Sequence, residues 1–152
     1  VSKKLPKTIL LIIGNGSIYR KNYLLELVNL YNINNNISFL GYQDSLEIYN
    51  QISDIVIVPS IDSEAIPYTV VEALRASKPI ITSFYGGSQE SVINNHNGFV
   101  IDPHNIDELA NSIIKLLNDK KLLKSMSKNS RKIFEEKHKS ERIFNSHIKI
   151  YN

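Results

Sequence analysis

The residues best suited to chemistry are Glu64 and Glu72, which bracket the stretch Ala65-Ile66-Pro67-Tyr68-Thr69-Val70-Val71. The spacing puts Glu64 on a loop after the apolar run Asp54 to Val58, and Glu72 on the helix that follows. Pro67 suits the first turn of that helix, where its missing N–H costs little. The amides of Tyr68 and Thr69 then fall in an unsatisfied first turn, a ready site for phosphate. Glu72 sits in Thr69-Val70-Val71-Glu72-Ala73-Leu74, a helical stretch without other charge, and burying its carboxylate there is costly unless donors meet it. Paired hydroxyls of a sugar are suitable donors. The plainer readings are that Glu64 complements the helix dipole and that Glu72 faces solvent or pairs with Arg75.

Other chemistries find less support. The sequence has no cysteine, which excludes a disulfide scaffold, a zinc-thiolate site, a cysteine nucleophile and a redox motif. His96, His104, His138 and His147 form no spaced set with acids suited to zinc and read as exposed or loosely packed. No G-x-S-x-G nucleophile elbow is present. Gly14-Asn15-Gly16 suggests a dinucleotide loop, but Tyr19 replaces the third glycine and no acid ends the run Ile37 to Leu40. The tail concentrates Lys115, Lys120, Lys121, Lys124, Lys128, Arg131, Lys132, Lys137 and Lys139, diluted by Asp119, Glu135 and Glu136. That tract reads as a solvated helical face or as a peripheral contact with an anionic membrane surface. Nucleic acid is not an expected partner, because no motif or aromatic platform supports it.

These residues need a scaffold, and 152 residues, 42% hydrophobic and 22% charged with a net charge of +3, describe one globular domain with a single core. Apolar runs such as Thr8 to Ile13 are far shorter than the ~20 residues of a membrane span. The opening VSKKLPKTILLII ends in Gly14-Asn15-Gly16 and reads as a strand, not a signal peptide. Strands are expected at Thr8 to Ile13, Ile37 to Leu40, Asp54 to Val58, Pro79 to Thr82 and Gly98 to Ile101. Helices are expected at Tyr19 to Tyr31, Ser45 to Ser53, Pro67 to Ala76, Ser88 to Asn94 and Ile106 to Asn118, with helical pattern continuing to the end. The apolar runs are nearly continuous, as strands covered on both faces require, so the expected fold is α/β with a doubly wound, Rossmann-like parallel sheet. Ligands of such a sheet bind outside the carboxyl ends of its strands, which selects the loops Gly14 to Ser17, Gly41 to Asp44, Pro59 to Pro67 and Ser83 to Ser88. Only seven residues precede the apolar strand at Thr8, so either an upstream segment lies outside this chain or this edge strand is unusually apolar.

Together these segments resemble a known family. Glu64 and Glu72 match the E-x7-E pattern of retaining GT-B glycosyltransferases, which include many bacterial polysaccharide and lipopolysaccharide transferases. The likeness extends through LLIIGNGS, ISFLGY, SDIVIVPS, SEAIPYTVVEALRASKPII, GGSQESV, NNHNGFVIDPHN and FEEKHKSERI. It implies the C-terminal, nucleotide-sugar-binding domain of a GT-B fold over 1–152, with the first βα unit and the N-terminal domain elsewhere. Residues 139–152 would form a terminal helix packing on that absent domain. By the same resemblance Glu64 is the catalytic residue, holding donor-sugar hydroxyls and not acting as nucleophile, and Glu72 holds the ribose diol. The backbone around Ala65 and Ile66 approaches the sugar, and the segment at Pro67, Tyr68 and Thr69 faces the phosphates. Gly41 and Tyr42 border the base, and Gly14, Asn15 and Gly16 line the same cleft. Ala65 and Pro67 depart from glycines usual in the family, which alters the close backbone approach and removes one donor. The expected partners are a nucleoside-diphosphate sugar and a glycan or lipid-linked acceptor, with no cofactor or metal, in the cytoplasm or at the inner face of its membrane. The competing expectation is a noncatalytic remnant or assembly subunit that needs another chain to complete its sheet.

Overall fold

Continuous apolar runs form strands where flanking helices cover both faces, and the two halves of the chain do this to different extents. The computed structural model describes residues 1–62 and 65–139, so Glu64 and the expected terminal helix beyond Lys139 lie outside the described residues. The chain divides into two compact units, Val1–Leu46 and Glu47–Asn152.

The first unit is a βαβ arrangement. β1 (Leu10–Ile13) runs parallel to β2 (Ile37–Gly41), with Leu10 opposite Ile37 and Ile12 opposite Phe39. A register shift between Ile12 and Ile13 then sets Ile13 against Gly41. The crossover is α1 (Ile18–Leu30), which begins at Ser17, whose Oγ accepts from the amide of Arg20 at 3.3 Å. Asn36 Nδ2 donates to the carbonyls of Pro6 and Thr8 at 2.9 and 2.8 Å and so fixes the entry to β1.

The second unit carries the larger core. Its elements are α2 (Glu47–Ile52), β3 (Val56–Val58), α3 (Tyr68–Arg75), β4 (Ile80–Ser83), β5 (Gly98–Ile101), α4 (Ile106–Asn118) and α5 (Lys120–Ile133). The three strands pair in parallel in the order β3-β4-β5, with Val56 opposite Ile80 and Ile80 opposite Gly98. Alternation along these strands feeds two apolar layers. Val70, Ala73 and Leu74 of α3 pack with Ile80, Val92 and Ile133 on one side. On the other side Ile81, Phe99 and Ile101 pack with Leu116 of α4 and Met126 of α5. All four residues of β4 are buried, as a central parallel strand with both faces covered should be.

Three expectations change. The predicted helix Ser88 to Asn94 is instead a short 3₁₀ turn, Gly86–Glu90, followed by irregular chain. Asn97 explains this, because its side chain accepts from the amide of Ile93 at 2.7 Å and donates to the carbonyl of Ser91 at 3.0 Å, offering those groups a partner other than a helix. Pro67 sits one residue outside α3 with extended backbone (ψ 136°), not inside its first turn. The helical tail does not run on evenly: α5 widens into a π-helical turn, Phe134–His138, and Lys139 is extended.

Candidate functional site

At the carboxyl ends of β1 and β2 the two glycine loops are stitched together. The Gly14 amide donates to the Gly41 carbonyl at 2.7 Å, and the Tyr42 amide donates to Asn15 Oδ1 at 3.1 Å. Gly14 and Gly41 have φ of 116° and 67°, backbone that a side chain would strain, so glycine is what lets the loops turn here. Gly16 follows in the approach to the Ser17 cap, and Tyr42 stays 68% exposed with its ring free to meet a ligand. Gly14, Asn15, Gly16, Gly41 and Tyr42 are therefore brought to one edge of the first unit, as predicted from the loop positions.

At the carboxyl ends of β3 and β4 the second unit holds its own cluster. Ser83 Oγ donates to the Ser60 carbonyl at 2.6 Å and Thr82 Oγ1 to the Val58 carbonyl at 3.1 Å, which pins the start of the loop after β3. The end of that loop is fixed by Ile66, whose side chain packs on the core beside α3. Ala65 is exposed next to it, and Glu64 lies outside the described residues. α3 has no side-chain cap: the Pro67 carbonyl accepts from the Val70 amide at 2.9 Å, and the Tyr68 and Thr69 amides have no partner among the described residues. No acidic side chain occupies the first turn. Among the described residues the positive end of the helix is thus left to meet an anion.

Glu72 lies three and four residues beyond Thr69 and Tyr68, on the same helix face as that open turn. Its neighbours Val70, Ala73 and Leu74 are fully buried, and its carboxylate has no hydrogen-bond or ion-pair partner among the described residues. The plainer reading of a Glu72–Arg75 pair does not hold, since Arg75 turns to Glu47 at 3.8 Å. A half-buried carboxylate and two open amides therefore face outward together, a combination that can accept from hydroxyls while donating to a phosphate.

Sequence reasoning singled out the Ser83 to Ser88 loop without naming Gly87, which proves to be a contact point. A side chain at Gly87 would come within 3.1 Å of the Ile66 amide nitrogen and 3.3 Å of the Ala65 carbonyl carbon. The glycine lets the loop after β4 lie directly on the backbone that leads into α3. The pair of glycines in Tyr85-Gly86-Gly87-Ser88 was the available signal, although a close approach between loops cannot be read from spacing alone.

His138 also departs from its expected loose packing. Its Nε2 is 2.8 Å from Ser91 Oγ, and Lys137 Nζ donates to the Glu90 carbonyl at 2.6 Å. Partial burial, with a smaller effect of the Lys137 charge, holds the His138 imidazole below its ordinary range. His96 and His104 are exposed, as expected, and His147 lies outside the described residues.

Comparison with known proteins shows the family and the fold. The profile of the glycosyl transferases group 1 matches residues 1–133. An uncharacterized glycosyltransferase of Methanocaldococcus jannaschii is 30% identical over 142 residues, covering 92% of this chain and 39% of the relative. The UDP-Gal:alpha-D-GlcNAc-diphosphoundecaprenol alpha-1,3-galactosyltransferase of Escherichia coli is 28% identical over 130 residues, covering 84% of this chain and 32% of the relative. The chain thus spans about two fifths or less of the length of these relatives. In fold it resembles the crystal structure of the C-terminal domain of a group 1 family protein from Francisella tularensis, with a TM-score of 0.80 at 23% identity, covering 91% of this chain and 74% of that one.

Proposed function

Because the chain belongs to the glycosyl transferases group 1 family, we propose that it supplies the donor side of a transferase that moves a sugar from a nucleoside diphosphate onto a glycan or lipid-linked acceptor. The observation that carries this reading is the Glu72 carboxylate beside the amides of Tyr68 and Thr69, all three without a partner among the described residues. Glu72 accepts from the ribose diol, and the two amides meet the diphosphate. As the glycosidic bond breaks, negative charge grows on the leaving diphosphate, and amides already aimed at it stabilise that charge without reorganising. This step calls on no metal. Glu64 positions donor-sugar hydroxyls, the backbone at Ala65 and Ile66 approaches the sugar, and transfer proceeds with retention. The galactosyltransferase relative uses a UDP sugar and a diphosphoundecaprenol-linked acceptor by its name, which supports that donor and acceptor class.

Transfer further requires polypeptide beyond these residues. Among the described residues β1 and β2 in the first unit, and β3 and β5 in the second, each pair on one side only. A two-stranded parallel pair is a marginal sheet by itself, and acceptor groups have no evident place here. The isolated chain is therefore expected to bind donor weakly and not to turn it over. No helix among the described residues is long and apolar enough to cross a membrane. Titration of the chain with UDP, GDP and ADP sugars, repeated with Glu72→Ala, tests the site. Binding of one nucleotide class, lost in the variant, is expected; equal responses of both chains would overturn it.

A further inference from the structure

The lysines of α5 are laid out more regularly than a solvated face requires. Lys121, Lys124, Lys128 and Lys132 are exposed along one side of the helix, opposite the buried Met126, Ser130 and Ile133. At 1.5 Å per residue the stripe runs about 16 Å. Lys132 and Arg131 lie near carboxylates, Glu136 at 3.8 Å and Glu135 at 2.7 Å. Lys121, Lys124 and Lys128 have no carboxylate within ion-pair distance among the described residues. The stripe borders an open groove of about 920 Å³ also lined by Ser77, Ser125 and Ser127, where Glu135 contributes the one carboxylate among the described residues. Basic side chains outnumber acidic ones around the groove, whose walls are largely their aliphatic stems, and their charged heads suit phosphate oxygens.

We propose that this face of α5 docks on the headgroup phosphates of an anionic phospholipid surface. A helix of 14 residues with its charges on one side matches a flat array of phosphates. Beyond Ile106 no large apolar side chain is exposed among the described residues, so the contact is electrostatic and does not penetrate the hydrocarbon. Neither α5 nor the groove lining contains an aromatic residue, so the stacking platform of a single-stranded nucleic-acid site is missing. The proposal extends the reading of a lipid-linked acceptor: a donor domain held at the surface keeps its site near such an acceptor. The contact itself does not involve Glu72 or the start of α3.

Each lysine near an anionic surface is worth about 1 kcal/mol, about fivefold in partitioning, so removing three is expected to cost about a hundredfold. The test is cosedimentation of the 152-residue chain with vesicles of phosphatidylglycerol and phosphatidylcholine. Binding is expected to rise steeply with the phosphatidylglycerol fraction and to vanish in 1 M salt, where the screening length falls to about 3 Å. K121Q/K124Q/K128Q should abolish it, with circular dichroism and thermal unfolding unchanged. K3Q/K4Q/K7Q removes the same charge from exposed positions of the first unit and should bind nearly as wild type. Glu72→Ala should leave vesicle binding intact, so failure of the donor site and failure of this surface are separate results. Equal losses in the two triple variants, binding to pure phosphatidylcholine, or displacement by duplex DNA at a lower phosphate concentration than phosphatidylglycerol would overturn the proposal.

Discussion

Replacing Glu72 by alanine separates a functional carboxylate from a structural one, because the structure predicts opposite costs for binding and for stability. The side chain makes no hydrogen bond or ion pair among the described residues, so its removal breaks none there. Alanine is also a slightly better helix former than glutamate, by a few tenths of a kcal/mol. Unfolding free energy should therefore stay within about 0.5 kcal/mol of wild type, and Tm within about 2 °C. Donor binding should respond very differently. A hydrogen bond to a charged group contributes about 1.5 kcal/mol or more, so losing two from a ribose diol costs about 3 kcal/mol, a little over a hundredfold in Kd. Thermal unfolding followed by circular dichroism gives the first quantity, and calorimetric or NMR titration with the preferred nucleotide sugar gives the second. A variant destabilised by more than about 1 kcal/mol that binds within threefold of wild type would refute the reasoning and return Glu72 to a structural role.

Two further outcomes follow from the same structure. Gly87→Ala should weaken donor binding severalfold while leaving the fold intact, because its Cβ must push the Ala65–Ile66 backbone by a few tenths of an ångström; a titration matching wild type would show that this loop has room to adjust. His138 has a folded-state pKa below its unfolded value, so its neutral form is favoured on folding and its contribution is present above about pH 6.5. Urea midpoints should fall as the pH drops from about 7.5 through 6.5 toward the lowered value, and this slope should be shallower in His138→Gln, with equal slopes counting against the burial effect.

Much of the architecture was legible in the sequence because local chemistry and tertiary demand agree there. The α4 boundaries follow from Asn105, whose Oδ1 accepts from the Glu108 amide at 3.0 Å, and from apolar residues at helical spacing. The strands β4 and β5 follow from continuous apolar runs that both faces of the sheet bury. The Tyr68-Thr69 turn was legible too, since a proline before an apolar helix marks its start even though Pro67 falls one position outside. What escaped depends on contacts between distant segments. Asn97 diverts backbone groups at Ser91 and Ile93 from a helix that periodicity alone favours. His138 meets Ser91 across 47 residues of sequence, and Gly87 meets Ile66 across a loop-to-loop approach that no local pattern encodes. The separation of β1-β2 from β3-β4-β5 is likewise a matter of pairing, which strand-by-strand hydrophobicity does not contain.

Amide-resolved NMR of the isotope-labelled chain tests whether the start of α3 receives the diphosphate of a nucleotide sugar, even when affinity is weak. Titration with a nucleoside diphosphate should move the Tyr68 and Thr69 amide resonances most strongly within the second unit, and Glu72→Ala should reduce the response to the nucleotide more than the response to pyrophosphate. Shifts confined to the lysine-lined groove of α5, with Tyr68 and Thr69 unmoved at saturating nucleotide, would contradict the account.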